Sequence, residues 1–159
     1  MSKGPGKKFE KDFIKSVPDR CDVTRLKDGG GWSDAANTRF TSSNPCDFII
    51  FSDSEYHRDH KNMYKLELKS TLGKSLPFGN IKDHQLEGLY KSSLKGVEAL
   101  FIVNFRELNE TYRVPAVALQ AFINETDRKS IPIAWFRECA ILIKQSLIRV
   151  RYRYDLEWL

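Results

Sequence analysis

The chain has 159 residues, of which 41% are hydrophobic and 12% aromatic, and its formal net charge is +5. This composition excludes a disordered chain, and the length corresponds to a single domain. No apolar run approaches the ~20 residues that cross a bilayer, and the polar start does not resemble a signal peptide, so we expect a cytoplasmic protein. The positive charge favours a polyanionic partner, although it also serves solubility alone.

The first predicted elements are a helix and a short strand. Apolar residues at helical spacing, among them Phe9 and Phe13, predict an amphipathic helix over residues 7–17 that ends at Pro18. Residues 21–26 follow as a short first strand. A helix that precedes the first strand is then available to cover one face of a sheet.

A polar segment, residues 27–45, comes after this strand and is rich in Gly, Ser, Thr and Asn. Its length and composition predict a flexible loop or a reduced stalk. Arg39 and Thr41 lie within it, shortly before Asp47, where they are well placed to meet a phosphate. Both side chains are therefore candidates for DNA binding.

Two strand-like runs follow the polar segment. Residues 48–51 form a short continuous apolar run, which predicts a strand buried on both faces. Residues 63–69 alternate between apolar and charged side chains, which predicts a second strand. Because a strand repeats every two residues, Lys65, Glu67 and Lys69 share one face of it.

Asp47 stands directly before the first of these runs. If the two runs pair as neighbouring strands, the carboxylates of Asp47 and Glu67 converge on one divalent metal, and Lys69 points at the same place. Two acids and a lysine at a sheet edge indicate a site that cleaves phosphodiesters with the help of a metal. An acid two residues before a lysine also occurs twice in polar turns, so the pattern alone leaves a solvated strand face open.

The second half of the chain predicts three further helices and a hairpin. The predicted elements are a helix from Asn80 or Asp83 to about Lys95 that Gly96 ends, strands at 97–104 and 110–114, a helix at about 115–124 and a short helix near Pro132. Alternating strands and helices of this kind predict a mixed sheet flanked by helices.

Basic and polar side chains complete the candidates for DNA contact. Residues 147–159 predict a basic C-terminal strand or tail, which lies along DNA or forms a solvated edge strand. Small donors also follow the acid-x-lysine strand. The candidates in these two regions are Ser70, Thr71, Lys74, Arg149, Arg151 and Arg153.

Several segments of the chain occur in an order that one nuclease family shares. They are Asn-Pro-Cys-Asp-Phe at 44–48, Leu-Glu-Leu-Lys-Ser at 66–70, Ser-Leu-Pro-Phe-Gly-Asn-Ile at 75–81, His-Gln-Leu-Glu at 84–87 and the glycine at 96. This order resembles the restriction-endonuclease-like superfamily and, more narrowly, the RecU-type Holliday junction resolvases of bacteria and their phages. The resemblance extends over roughly residues 7–154.

The resemblance implies a fold and an activity. The expected fold is an α/β single nuclease domain over residues 1–159, with a restriction-endonuclease-like mixed central sheet flanked by helices. The expected activity is structure-specific cleavage of four-way DNA junctions in recombination and repair, by a homodimer in the cytoplasm, or in the host cytoplasm if a phage encodes it. Neither a membrane nor a small-molecule substrate is expected.

The resemblance also implies a metal and its ligands. Asp47 and Glu67 resemble the carboxylates that hold Mg²⁺ in the family, with the Leu68 carbonyl completing the site, and Mn²⁺ is the alternative metal. Mg²⁺ is a hard cation that one or two carboxylates, waters and a substrate phosphate typically hold.

Three more residues receive catalytic roles from the resemblance. Lys69 orients or deprotonates the attacking water, and Gln85 on the following helix supports the lysine or a phosphate. Glu10 matches an acid that such nucleases often carry on the first helix, with a surface ion pair to a nearby lysine as its other role. Two alternative functions stay open: a restriction-like nuclease that cuts other branched or duplex DNA, and a non-catalytic DNA-binding recombination factor.

Overall fold

The computed structural model describes residues 4–26, 29–33, 38–42, 44–53 and 62–159, with the backbone alone for 29–33 and 38–42. The helices in this part of the chain are α1 (Pro5–Ile14), α2 (Asp83–Leu94), α3 (Ala116–Glu125) and α4 (Ile133–Cys139). None of the helices in these ranges is long and apolar enough to cross a membrane.

The strands of the same ranges are numbered in chain order. They are β1 (Cys21–Arg25), β2 (Gly29–Ser33), β3 (Thr38–Ser42), β4 (Phe48–Ser52), β5 (Met63–Thr71), β6 (Ser75–Pro77), β7 (Glu98–Phe105), β8 (Glu110–Pro115), β9 (Ser130–Pro132), β10 (Ile141–Ile143), β11 (Gln145–Ile148) and β12 (Arg151–Tyr154).

Six of these strands form one mixed sheet in the order β1-β4-β5-β7-β8-β10. The β5–β7 pair is parallel, and every other neighbouring pair in this sheet is antiparallel. A parallel pair needs a crossover connection, and α2 supplies it between β5 and β7. The predicted mixed sheet flanked by helices is therefore confirmed.

The two faces of the sheet carry separate apolar cores. Alternation along β5 sends Tyr64, Leu66 and Leu68 to the face that α1 covers through Phe9 and Phe13. The opposite face packs α2 and α3 against β7 through Leu86, Leu89, Phe101, Val103 and Leu119. Glu67 and Lys69 fall on the α2 face, because they alternate with the leucines of the α1 core.

Three predictions about strands and loops need correction. The run at 48–51 is not buried on both faces, because Phe51 is 50% exposed, while Phe48 and Ile50 are buried. Within residues 27–45, the strands β2 and β3 pair with each other. The prediction of a flexible loop is therefore wrong for the ten residues of these strands. The alternative prediction, a reduced stalk, stays a prediction.

The basic C-terminal segment folds back as a hairpin of β11 and β12. The predicted C-terminal strand would place Arg149, Arg151 and Arg153 on one face. The structure differs at Arg149, which lies in the turn between the two strands with a positive φ of 56°. Because of this turn, only Arg151 and Arg153 of the three arginines lie on one strand.

Candidate active site

Asp47 directly precedes β4 and lies beside the middle of β5. Its N–H donates to the Leu66 carbonyl at 3.0 Å. Its Oδ2 accepts a hydrogen bond from the N–H of Leu68 at 2.8 Å. These two contacts lie on either side of Glu67. In the register of β4 and β5, Phe48 lies opposite Leu66, so the preceding residue Asp47 lies opposite Glu67. The strand pairing therefore brings the two carboxylates together.

Glu67 is almost completely buried, with 2% of its surface exposed. Its Oε1 accepts a hydrogen bond from Gln85 Nε2 at 2.6 Å and forms an ion pair with Lys69 Nζ at 2.8 Å. Its Oε2 is buried and has no hydrogen-bond partner. A carboxylate oxygen removed from water without a donor is unfavourable, so this atom requires a cation or a proton.

The electrostatics of Glu67 show the same requirement. Burial first, and then the nearby charge of Asp47, raise the pKa of Glu67 to about 7, although Lys69 opposes both effects. Two carboxylates side by side repel each other unless a proton or a cation lies between them. Divalent cations are the usual partners of such a pair.

Lys69 and Gln85 close a triangle with Glu67. Lys69 Nζ donates to Gln85 Oε1 at 2.9 Å, and both side chains contact the same oxygen of Glu67. Gln85 lies in the first turn of α2, where its Oε1 also accepts from the N–H of Lys82 at 3.4 Å. Helix α2, which connects the parallel strands β5 and β7, therefore also positions the Gln85 amide against Glu67 and Lys69.

The donor set fits a hard divalent metal. The described residues contain no cluster of three or more His, Cys, Asp or Glu side chains, so two carboxylates are what the described side chains bring to a metal. Mg²⁺ typically takes one or two carboxylates and completes its shell with water and substrate phosphate. The unpartnered Glu67 Oε2 beside Asp47 fits this pattern, while the Leu68 carbonyl as a further ligand stays a prediction.

Glu10 lies on α1, which packs on the other face of the sheet. It forms an ion pair with Arg25 at 2.7 Å, and the arginine is mostly exposed. A surface partner was one of its two predicted roles, although the partner is an arginine and not a lysine. Its catalytic role stays a prediction.

The small donors after β5 differ in their surroundings. Ser70 Oγ lies 3.4 Å from Asn104 Oδ1, and Thr71 Oγ1 donates to the Ser75 carbonyl at 3.1 Å. Thr71 is buried, whereas Lys74 is exposed. Of these candidates, Lys74 has the open surface that a phosphate contact requires.

The basic C-terminal hairpin is fixed to α1. The N–H of Tyr152 donates to Asp12 Oδ2 at 3.1 Å, and the N–H of Tyr154 donates to Ser16 Oγ at 3.0 Å. Arg149, Arg151 and Arg153 are exposed, and their contact with DNA stays a prediction. The side chains of Arg39 and Thr41 lie outside the described residues.

A chain of buried polar contacts escaped the sequence analysis. Asn104 Nδ2 donates to Thr111 Oγ1 at 2.9 Å, and Thr111 Oγ1 lies 2.6 Å from Gln145 Oε1. With Ser70 at its start, this chain links the end of β5 to the C-terminal hairpin. A polar residue near the end of the apolar strand β7 was the signal that could have found it.

A mixed sheet with two adjacent acids and a lysine at this point is typical of metal-dependent nucleases. A protein-family profile described as "RecU: Recombination protein U" matches residues 40–156, and the chain belongs to this family. The matched range includes Asp47, Glu67, Lys69 and Gln85. It excludes α1 and therefore Glu10.

A curated relative and a solved structure are also similar to the chain. "Holliday junction resolvase RecU" from Lactococcus lactis subsp. lactis (strain IL1403) is 32% identical over 105 residues, which are 64% of this chain. The chain spans about half of that relative, 49% of its length. The 1.6 Å structure of Archaeoglobus fulgidus Hjc, a Holliday junction resolvase from an archaeal hyperthermophile, shares 18% identity at a TM-score of 0.49, covering 79% of this chain and 85% of that one.

Proposed function

We propose that this chain is a structure-specific endonuclease that resolves four-way DNA junctions in recombination and repair. Membership of the RecU family and the name of the Lactococcus lactis relative support the substrate class. The observation that carries the chemistry is the buried, unpartnered Oε2 of Glu67 beside the carboxylate of Asp47. An inert DNA-binding domain has no need of such an unfavourable arrangement.

The proposed metal is Mg²⁺, with Mn²⁺ as the alternative. Asp47 and Glu67 hold it, together with the Leu68 carbonyl, and solvent fills the remaining positions. When bound, the metal polarises the scissile phosphate and lowers the pKa of bound water. The N–H of Leu68 keeps the carboxylate of Asp47 in place for this purpose.

Lys69 and Gln85 act on the attacking water in this proposal. Lys69 Nζ lies between Glu67 and Gln85, so its direction is fixed before DNA binds. Lys69 has two alternative roles here. As an ammonium it orients the attacking water or hydroxide, and as a neutral amine it accepts a proton from the water. Gln85 contacts both Glu67 and Lys69, and it therefore keeps the lysine on the same face of β5 as the two carboxylates.

The proposed assembly is a homodimer. Resolution of a four-way junction needs two symmetric incisions, and a two-fold symmetric dimer supplies two equivalent active sites. Each site then cuts one of two strands related by the symmetry of the junction.

The test is the incubation of the full chain with a labelled four-way junction, with and without Mg²⁺. We expect paired incisions that require the metal. Asp47→Asn and Glu67→Gln should lower the cleavage rate by about a thousandfold or more and leave junction binding in place. Glu87→Gln is the matched control, since Glu87 is an exposed carboxylate of α2 that pairs with Lys91 outside the site.

Three outcomes contradict the proposal in different ways. If both site variants cleave the junction at the wild-type rate, Asp47 and Glu67 take no part in the cleavage reaction. Equal cutting of a junction, a flap and a linear duplex of the same length would replace the resolvase by a nuclease of broader substrate range. Binding of the junction without any metal-dependent cutting would leave a DNA-binding recombination factor.

A further inference from the structure

A basic cleft opens between α1 and the edge of the sheet, away from the Glu67 triangle. Its volume is about 610 Å³, and its cationic lining consists of Lys7, Lys11, Lys15 and Arg25. The apolar side chains of Ile14, Val23 and Phe48 also line it, together with the carboxylate of Glu10. The family match begins at residue 40 and therefore gives no role to α1.

The three lysines form a row along one side of α1, which we call the lysine row (Lys7, Lys11 and Lys15). A spacing of four residues places side chains on the same face of a helix, and like charges at this spacing destabilise the helix slightly. All three are exposed. Among the described side chains, no carboxylate forms an ion pair with any of them.

Glu10 is the carboxylate among the described residues of the cleft, and it does not neutralise the row. Glu10 forms its ion pair with Arg25 at 2.7 Å, so the positive charge of the three lysines remains uncompensated there. A row of cations held at a small cost to the helix favours a negatively charged partner from outside.

The cleft and the candidate active site lie on opposite faces of the sheet at neighbouring residues of the chain. Phe48 belongs to its wall and directly follows Asp47, which is about 3.8 Å away along the chain between Cα atoms. Arg25 pairs with Phe48 in the sheet, and its guanidinium carbon lies 5.9 Å from the centre of that ring. Because neighbouring residues of a strand point to opposite faces, a polyanion in the cleft lies on the other face of the sheet from the two carboxylates.

We propose that the cleft binds the sugar–phosphate backbone of one DNA arm. Eight residues of helix separate Lys7 from Lys15, or about 12 Å. A DNA strand carries a phosphate about every 3.4 Å of helix axis, so the row spans roughly three to four phosphates. The apolar wall offers contact for the sugars between them. This inference rests on the proposed function, because it concerns the substrate of the same site.

The salt dependence of DNA binding tests the inference directly. Each lost phosphate contact makes the slope of log K against log salt less steep by about 0.9, so the combined Lys7→Gln, Lys11→Gln and Lys15→Gln variant should lose roughly 2.7 from its slope. Fluorescence anisotropy of a labelled junction, with the full chain in EDTA, measures it. At moderate salt the affinity should fall about tenfold or more.

The matched control carries the same loss of charge elsewhere. Lys91→Gln, Lys95→Gln and Lys129→Gln remove three exposed lysines that do not line the cleft. Replacement of the lysine row by arginine should restore the slope. Cleavage by the control variant should stay within about twofold of wild type, because its three lysines lie outside the cleft.

The outcomes separate this inference from the proposed function. If the lysine-row variant and its control have equal salt slopes while wild type cuts junctions, the inference that the cleft binds DNA is wrong. The proposed resolvase function is then unaffected. A wild-type chain that neither binds nor cuts junctions would overturn both. An arginine replacement that binds as weakly as the glutamine variant would also overturn the cleft, because both cations bind phosphate.

Discussion

The two sides of the sheet use charge in different ways. On the α2 side, Glu67, Lys69 and Gln85 are largely buried and fix one another through short contacts. On the α1 side, the lysine row is exposed and makes no ion pair with the described side chains. Buried charge gives precise geometry at a cost in stability, whereas exposed charge gives attraction over a distance that salt weakens. The proposed nuclease activity needs both kinds of charge, and the sheet separates them.

The largest expected effect is on the buried side, at Lys69. Lys69→Met should slow single-turnover cleavage by about 10²–10⁴-fold, because a positioned acid–base group is lost. Lys65→Met is the matched control on the same strand face, where Lys65 donates to Ser92 Oγ at 2.9 Å away from Glu67. A similar rate loss in both variants would assign the effect to β5 as a whole and not to Lys69.

The next effect concerns the metal and Gln85. Gln85→Ala removes a hydrogen bond to Glu67 Oε1 and one to Lys69, so the Mg²⁺ concentration for half-maximal cleavage should rise about 10- to 100-fold. His84→Ala, at the exposed neighbouring position, should leave it unchanged. An unaltered metal requirement in Gln85→Ala would show that the amide does not orient the ligand.

A third prediction uses the cost of burying Glu67. Its folded pKa of about 7 lies above the ordinary value of 4.5, so unfolding releases a proton between these pH values and wild type loses stability as the pH rises. In EDTA, Glu67→Gln should therefore be more stable than wild type by roughly 2 kcal/mol above pH 7, with the difference fading below pH 4.5. Urea unfolding at pH 4, 6 and 8 measures this.

Added Mg²⁺ should reverse that third result. A metal bound by folded wild type stabilises it by mass action, while Glu67→Gln should gain little. A constant difference between the two proteins at every pH would contradict the raised pKa of Glu67.

The smallest expected effect lies on the exposed side, at Glu10. Glu10→Gln removes an exposed ion pair with Arg25, so the free energy of unfolding should change by less than about 1 kcal/mol. Cleavage by the same variant separates the two predicted roles of this residue. A rate loss above about tenfold would place Glu10 in the catalytic machinery, as the family resemblance implied.

The sequence predicted the α2 side of the site well, because strand alternation fixes which side chains share a face. Asp47, Glu67 and Lys69 needed only strand pairing, and Gln85 came from the family resemblance. Alternation could not show that one oxygen of Glu67 would be left without a donor, since that depends on where α2 packs. Burial of Phe51 was predicted wrongly because an apolar run does not reveal whether a helix covers its second face.

Short elements were harder to find. β6, β9 and β10 have three residues each, too few for a period to be recognised, and they form only where a neighbouring strand pairs with them. The lysine row has a readable signal in the sequence, a spacing of four residues along α1, but such a spacing alone does not distinguish a binding row from a solvated helix face. Arg149 illustrates the opposite case, where an apparent alternation of 149, 151 and 153 is interrupted by a tight turn.

The crossover through α2 also ties the candidate active site to the completeness of the fold. Asp47, the β5 pair of Glu67 and Lys69, and Gln85 come from three separate stretches of chain. A polypeptide in which α2 is undocked has the two acids and the lysine but lacks the amide that contacts both Glu67 and Lys69. The proposed activity would therefore depend on the finished fold, and an immature copy would pose little danger to a chromosome.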